Sequence, residues 1–323
     1  MDGADQTSHD LPKVQGRNPK GLAAWPQKMQ CVLTHGIQIA MFNLLHIVHA
    51  GANMAMSCLM RAMQLMQDTY HGLQQTVYLQ VDGGSENWNQ VLFAWVDLWF
   101  DYFPHLQTVI ISRLPVGHTH IDVDRLFSYL NGELFGSGGG LRTGKNILTK
   151  DAFEESYRTA MAGNKDTMLL NHEYEDINCV YDFWEWLSPH FYQNFSGYGS
   201  SGNVHVMRFR RLSDRQTPHI DYKYWHQSST WLPEDGSSLK ILNSRPNLED
   251  LTELKVECHV DEHEDVLVRS QKPILKWLQE QKTVGMVSDQ DIVAWKTYFK
   301  SLGKCTASVM CLICSACIIF RHL

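Results

Sequence analysis

Three groups of carboxylates stand where a chain could use them for chemistry. Asp82 closes the β-branched and aromatic run Thr76-Val-Tyr-Leu-Gln-Val81 and precedes Gly83-Gly84, which lets a substrate backbone come close. Asp122 and Asp124 fall in the opening turns of an expected helix, just after Gly117-His118-Thr119-His120. Asp2 and Asp5 flank Gly3 at the start of the chain. Carboxylates projecting from strand ends and a helix into one pocket hold hard cations such as Mg²⁺ or Mn²⁺. Two such ions about 3.5–4 Å apart activate a nucleophile and stabilise a leaving oxygen.

Each group also has a plainer use. Asp82 before two glycines suits an Asx-turn. Asp122 follows Thr119 by three residues, the spacing of a capping box, which makes Asp124 the better ligand of the pair. His118 and His120 beside carboxylates would suit zinc, but no Cys cluster accompanies them.

The elements that must position these groups follow from periodicity. Met29–Thr34 and Ile37–His46 read as strands around a His35-Gly36 turn, and 50–66 as a buried helix with a Met stripe that packs in the core. Residues 76–81 read as a buried strand and 87–103 as a helix closed by Pro104. Residues 108–114 read as a strand, and 120–134 as a helix with Val123, Leu126, Phe127, Leu130 and Leu134 on one face. The order is a hairpin followed by crossovers, an α/β pattern. Residues 151–195 read as helical, 203–232 as strand-like, 247–265 as an acidic stretch, and 272–300 as one or two amphipathic helices. The expected division is an α/β domain over 1–150, a smaller α+β region over 151–300 and an apolar tail over 301–323.

Composition narrows the classes. The 323 residues are 44% hydrophobic and 11% aromatic, enough for a sizeable core and too much for wholesale disorder. A net charge of −7 excludes a generally basic nucleic-acid coat but not a local basic track beside an acidic site. The 8 cysteines form no disulfide-like framework, so a reducing compartment, nuclear or cytoplasmic rather than secreted, is expected. The uncharged run 305–320 spans about 24 Å as a helix against roughly 30 Å of hydrocarbon, short for a membrane anchor. Arg208, Arg210 and Arg211 alternate with Phe209 and read as a solvated strand face, or alternatively as a phosphate track. Cys258 and His259 to His263 read as a surface loop, and Cys311, Cys314 and Cys317 as packing in the tail. No Walker-type loop or nucleophile elbow is present.

The segments Met1-Asp-Gly-Ala-Asp-Gln6, Leu33-Thr-His-Gly36, Gly51-Ala-Asn53, Val81-Asp-Gly-Gly-Ser-Glu-Asn87 and Gly117-His-Thr-His-Ile-Asp-Val-Asp-Arg-Leu-Phe-Ser128 occur in that order. Together they resemble a large family of transposon-derived eukaryotic proteins. Its catalytic region is similar to DDE transposase and retroviral integrase domains, with a ribonuclease-H-like mixed sheet flanked by helices. The resemblance covers roughly 1–135 and extends loosely through Tyr222-Lys-Tyr-Trp225 and Trp231-Leu-Pro233.

The resemblance implies that the 1–150 domain is of catalytic type. It implies three acids: Asp2, with Asp5 nearby, then Asp82, then Asp124, with Asp122 as the alternative. His118 would position phosphate or water, and Glu86 and Asn87 would lie at the mouth of the site. The implied activity is two-metal phosphoryl transfer on DNA with Mg²⁺ or Mn²⁺. DNA is the implied partner, a homo-oligomer the implied assembly, and no small-molecule cofactor is required. The opening strand of such a sheet would precede Asp2, whereas the sequence starts at Met1. It therefore reads as a fragment or an inactive copy, and a non-catalytic relic that binds DNA or protein is the alternative.

Overall fold

The computed structural model describes residues 2–3, 10–12, 24–45, 51–70, 73–85, 87–113, 122–135, 146–177, 180–193, 204–213, 217–247, 250, 256–257 and 264–302. A mixed α/β architecture is present, with two mixed sheets where one was expected.

The first sheet begins with β1 (Asp2–Gly3), β2 (Gln27–Thr34) and β3 (Gln38–Leu45), paired antiparallel in that order. The β2–β3 turn works because Gly36 adopts φ +74°, a conformation that costs glycine nothing, and the Ile37 amide closes it onto the Thr34 carbonyl. Helix α1 (Ala52–Tyr70) follows, buried along Met54–Leu59, and Gln38 Nε2 donates to the Ala62 carbonyl to tie the hairpin to it.

The second sheet starts with β4 (Thr76–Val81), helix α2 (Gln90–Tyr102) and β5 (Thr108–Arg113), with β4 and β5 parallel. Helix α2 starts cleanly because the Asn89 side chain accepts from the Leu92 amide. Every residue from Val91 to Phe100 is buried, and all but Asp97 are apolar, so α2 lies inside the molecule. Its Trp95 packs on Phe183 at 5.4 Å between ring centroids.

Helix α3 (Asp122–Phe135) packs against α4 (Lys150–Ala162) and against β2. Strand β6 (Asn171–Ile177) then joins β3 in parallel, giving a first sheet ordered β1-β2-β3-β6. A short β7 (Val180–Tyr181) and α5 (Phe183–Leu187) lead to β8 (Val206–Arg210) and β9 (His219–Lys223). These complete a second sheet ordered β4-β5-β8-β9, and β10 (Val256–Glu257) pairs with β7. Helices α6 (Glu264–Thr283) and α7 (Asp289–Ser301) end the described chain, the latter opened by a Ser288–Asp291 capping box. Both sheets and α1, α2, α4 and α7 contribute to one hydrophobic core.

Two expectations need correction. Strand β4 is not buried: Thr76, Tyr78 and Gln80 face outward, Tyr78 at 75% exposure, because β4 is an edge strand with one open face. Residues 151–195 are not continuously helical. Asn171–Ile177 is a polar strand burying only Tyr174, held by its ladder to β3 rather than by apolar periodicity. No helix among the described residues is long and apolar enough to cross a membrane. The Cys258–His263 stretch and the tail from 303 lie outside the described residues.

Candidate functional site at the end of the β4–β5 pair

Asp82 sits immediately after β4, and its carboxylate Oδ1 accepts from the Gly84 amide at 3.0 Å and from Asn87 Nδ2 at 2.7 Å. The first bond is an Asx-turn, so the plainer use of Asp82 is real. Oδ2 takes part in neither bond. Asn87 is buried and braces the turn from just before α2.

Across the parallel ladder, Val81 is in register with Arg113, the last residue of β5. Arg113 is buried, its Nε donates to the Val204 carbonyl at 2.9 Å, and its guanidinium lies over the Trp88 ring, 5.0 Å from the centroid. Burial pushes its pKa down from the usual arginine range. The backbone around it is closed by His205 and His226: the Arg113 amide donates to the His205 carbonyl at 3.0 Å, and His226 Nε2 lies 3.0 Å from the Arg113 carbonyl. The His205 ring stacks on Trp225 at 4.5 Å, and burial followed by the Arg113 charge holds its pKa below the usual value. Sequence reasoning passed over Arg113, Trp88 and His205. The available signal was a lone arginine ending the apolar alternation Val109-Ile-Ile-Ser-Arg113.

The expected third acid lies on α3. Asp122 is exposed there and pairs with Arg125 at 3.8 Å and with His35 Nε2 at 3.6 Å. His35 belongs to the β2–β3 turn, so two of the quoted segments meet at this point. They line an open cavity of about 440 Å³ with Tyr129 and Asp166, whose carboxylate accepts from the Tyr129 hydroxyl at 2.9 Å. Asp124 is half-buried in the same first turn of α3.

Asp2 is in β1, opposite Cys31 of β2, with only its backbone described. Asp5, Glu86, His118, Thr119 and His120 lie outside the described residues. Among the described residues no three His, Cys, Asp or Glu side chains gather closely enough to hold a metal ion. The described donors therefore fall short of a cation site. The Arg208–Arg210–Arg211 strand is committed elsewhere: Arg208 and Arg210 both hold Asp221, and Arg211 donates to the Phe100, Phe103 and Leu106 carbonyls.

Residues 20–228, which carry the hairpin, the Asp82 turn, α3 and the first strands of the C-terminal half, match a domain of unknown function, DUF7869. The chain belongs to the DUF7869 family. No curated protein and no solved structure matches it. In this DUF7869 chain, Asp82 and Arg113 both fall within the matched span, as do Trp88, His205 and His226.

Proposed function

We propose that the chain descends from DDE-type, ribonuclease-H-like enzymes and that its activity is phosphoryl transfer on DNA. The observation that carries this reading is Asp82 at the C-terminal end of β4, in register beside β5, with the acids of α3 on the next element in sequence. A carboxylate at the C-terminal end of a strand in a parallel pair sits where open α/β sheets place their ligands. The antiparallel β1–β2–β3 unit followed by a parallel β4–β5 pair also supports the fold assignment. In that topology a central strand joins the hairpin to β4, and the two sheets here end on β1 and on β4.

In this reading Asp82, Asp124 and Asp2 are the acids, with Asp122 as the alternative to Asp124 and His118 as a positioning residue. Such acids bind Mg²⁺ or Mn²⁺, which lower the pKa of an attacking oxygen. Because the described donors fall short of a cation site, no step is assigned to an ion. What the described residues do is narrower: Asn87 and the Gly84 amide orient the Asp82 carboxylate.

The test is nicking of supercoiled plasmid in Mg²⁺ or Mn²⁺ by the protein, against its Asp82→Asn variant. The expected result is metal-dependent nicking that falls by at least about 10²-fold in the variant, as for a group acting on the reacting centre. Equal activity in both proteins overturns the assignment. A second reading, a relic that binds DNA or protein without chemistry, is favoured by the engagement of Asp82 Oδ1 in its turn and the lack of a three-donor group among the described residues. It predicts no nicking by either protein.

A further inference from the structure

Arg113 is 9% exposed, yet its Nη2 meets no acceptor among the described residues. Three other partly buried arginines each have a carboxylate: Arg61 reaches Glu175, Arg208 reaches Asp221 and Arg245 reaches Asp97; Arg211 instead has three backbone carbonyls. A guanidinium taken out of water without a carboxylate is an unmet demand for an oxyanion, and its planar fork suits phosphate.

The neighbourhood adds one indole donor and an imidazole nitrogen that donates in one of its tautomers. The Trp88 indole Nε1 and the His205 Nδ1 are also buried without a partner among the described residues. Trp88 lies under the guanidinium, and His205 is bonded through its backbone to Arg113. Trp88 also directly precedes Asn89, the N-cap of α2, so the positive end of a 13-residue helix begins beside the cluster.

We infer that Arg113, with the Trp88 indole and the His205 imidazole, binds a phosphate oxyanion at the C-terminal end of the β4–β5 pair. This deepens the phosphoryl-transfer reading and rests on it for DNA as the source of the phosphate. Because Val81 is the register partner of Arg113, a phosphate held there lies next to the Asp82 turn. Arg113 acts by binding and orienting the phosphate, and no bond is made or broken by it.

The experiment is titration of the full chain with three probes, followed by calorimetry and thermal melting. The probes are inorganic phosphate, a thymidine dinucleotide with one phosphodiester, and thymidine as the phosphate-free control. Phosphate and the dinucleotide are expected to bind and raise Tm, and thymidine is not. Binding of phosphate without the dinucleotide also supports the site and identifies free phosphate as its source.

Arg113→Gln is expected to weaken phosphate at least about tenfold, with Arg113→Lys between it and the native chain. Lys240→Gln, which removes a cation that lies over Tyr192, leaves binding unchanged. If Arg113→Gln does not fold by circular dichroism, Trp88→Phe decides, since it keeps an aromatic ring under the guanidinium and removes the indole N–H. It is expected to weaken phosphate by about threefold or more. No phosphate-dependent change in the native chain, or binding within about twofold of native in the deciding variant, overturns the proposal. Nicking is not read in this experiment, so a catalytically silent protein that binds phosphate refutes the activity and leaves the site standing.

Discussion

Asp221 and Arg113 lie on the same sheet, on β9 and β5, and both are buried, but their surroundings are opposite. Asp221 takes a two-pronged bond from Arg208, at 2.9 and 2.5 Å, and a third bond from Arg210 at 2.9 Å. The Arg208 guanidinium lies over Trp231 at 3.7 Å, with Lys223 over the same ring at 4.6 Å. Among the described residues Arg113 has an aromatic ring and a backbone carbonyl but no carboxylate. The difference separates two uses of a buried ion. One closes the sheet on itself, and the other leaves a charge for something that is not part of the chain.

The largest effect should come from breaking the closed side. Asp221→Ala leaves two arginines around an empty position, and removing one partner of a buried pair costs about 3–5 kcal/mol. Urea unfolding should show that loss. A change below about 1 kcal/mol would mean that the cluster is no better than a surface pair.

An intermediate case sits inside α2. Asp97 bonds Arg245 at 2.9 Å, yet burial outweighs the arginine and pushes its pKa up to about 6. Because the folded value lies above the unfolded one, the native state holds the extra proton between about pH 4 and pH 6. This contribution to stability is therefore full below pH 4 and is lost as pH rises to 6, by on the order of 2–3 kcal/mol. Comparing urea midpoints at pH 4, 5 and 6 for native and Asp97→Asn proteins isolates it. Parallel profiles would contradict the assignment.

On the open side the expected cost is small. Arg113→Met removes a cation whose desolvation is not offset by a carboxylate, so stability should change by no more than about 1 kcal/mol and can rise. A loss of several kcal/mol would place Arg113 with the structural ions. Of similar small size, Trp231→Leu should cost about 0.5–1 kcal/mol, because that ring and its two cations lie at the rim of the Asp221 cluster. A melt that separates it from Asp221→Ala by several degrees would sharpen the contrast between core and rim.

Much of this frame was legible in the sequence, and the limits were physical. The hairpin, α1, α2, β5 and α3 each bury an apolar stripe, so periodicity found them within a few residues. Strand β6 was not legible, because Asn-His-Glu-Tyr-Glu-Asp-Ile is stabilised by pairing with β3 rather than by its own pattern. The outward face of β4 was hidden for the converse reason: β-branched and aromatic composition does not report how many faces a strand buries.

At the site, the Asx-turn of Asp82 was readable from Asp-Gly-Gly. The meeting of His35 with Asp122 was not, since it depends on α3 packing against β2. Arg113 was missed because an arginine at a strand end looks like a solvated terminus. Only the packing of Trp88, Val204 and His205 around it makes it a buried cation.

The central claim is that phosphate is handled at the Asp82–Arg113 end of the β4–β5 pair. Its most direct test is a crystal structure of the protein with the thymidine dinucleotide and Mn²⁺. The expected result is a phosphate oxygen within about 3 Å of Arg113 Nη2, with the Asp82 carboxylate facing the same group. Dinucleotide bound instead in the cavity between His35, Asp122 and Asp166, or Arg113 still without an oxyanion in crystals that bind the dinucleotide elsewhere, would contradict it.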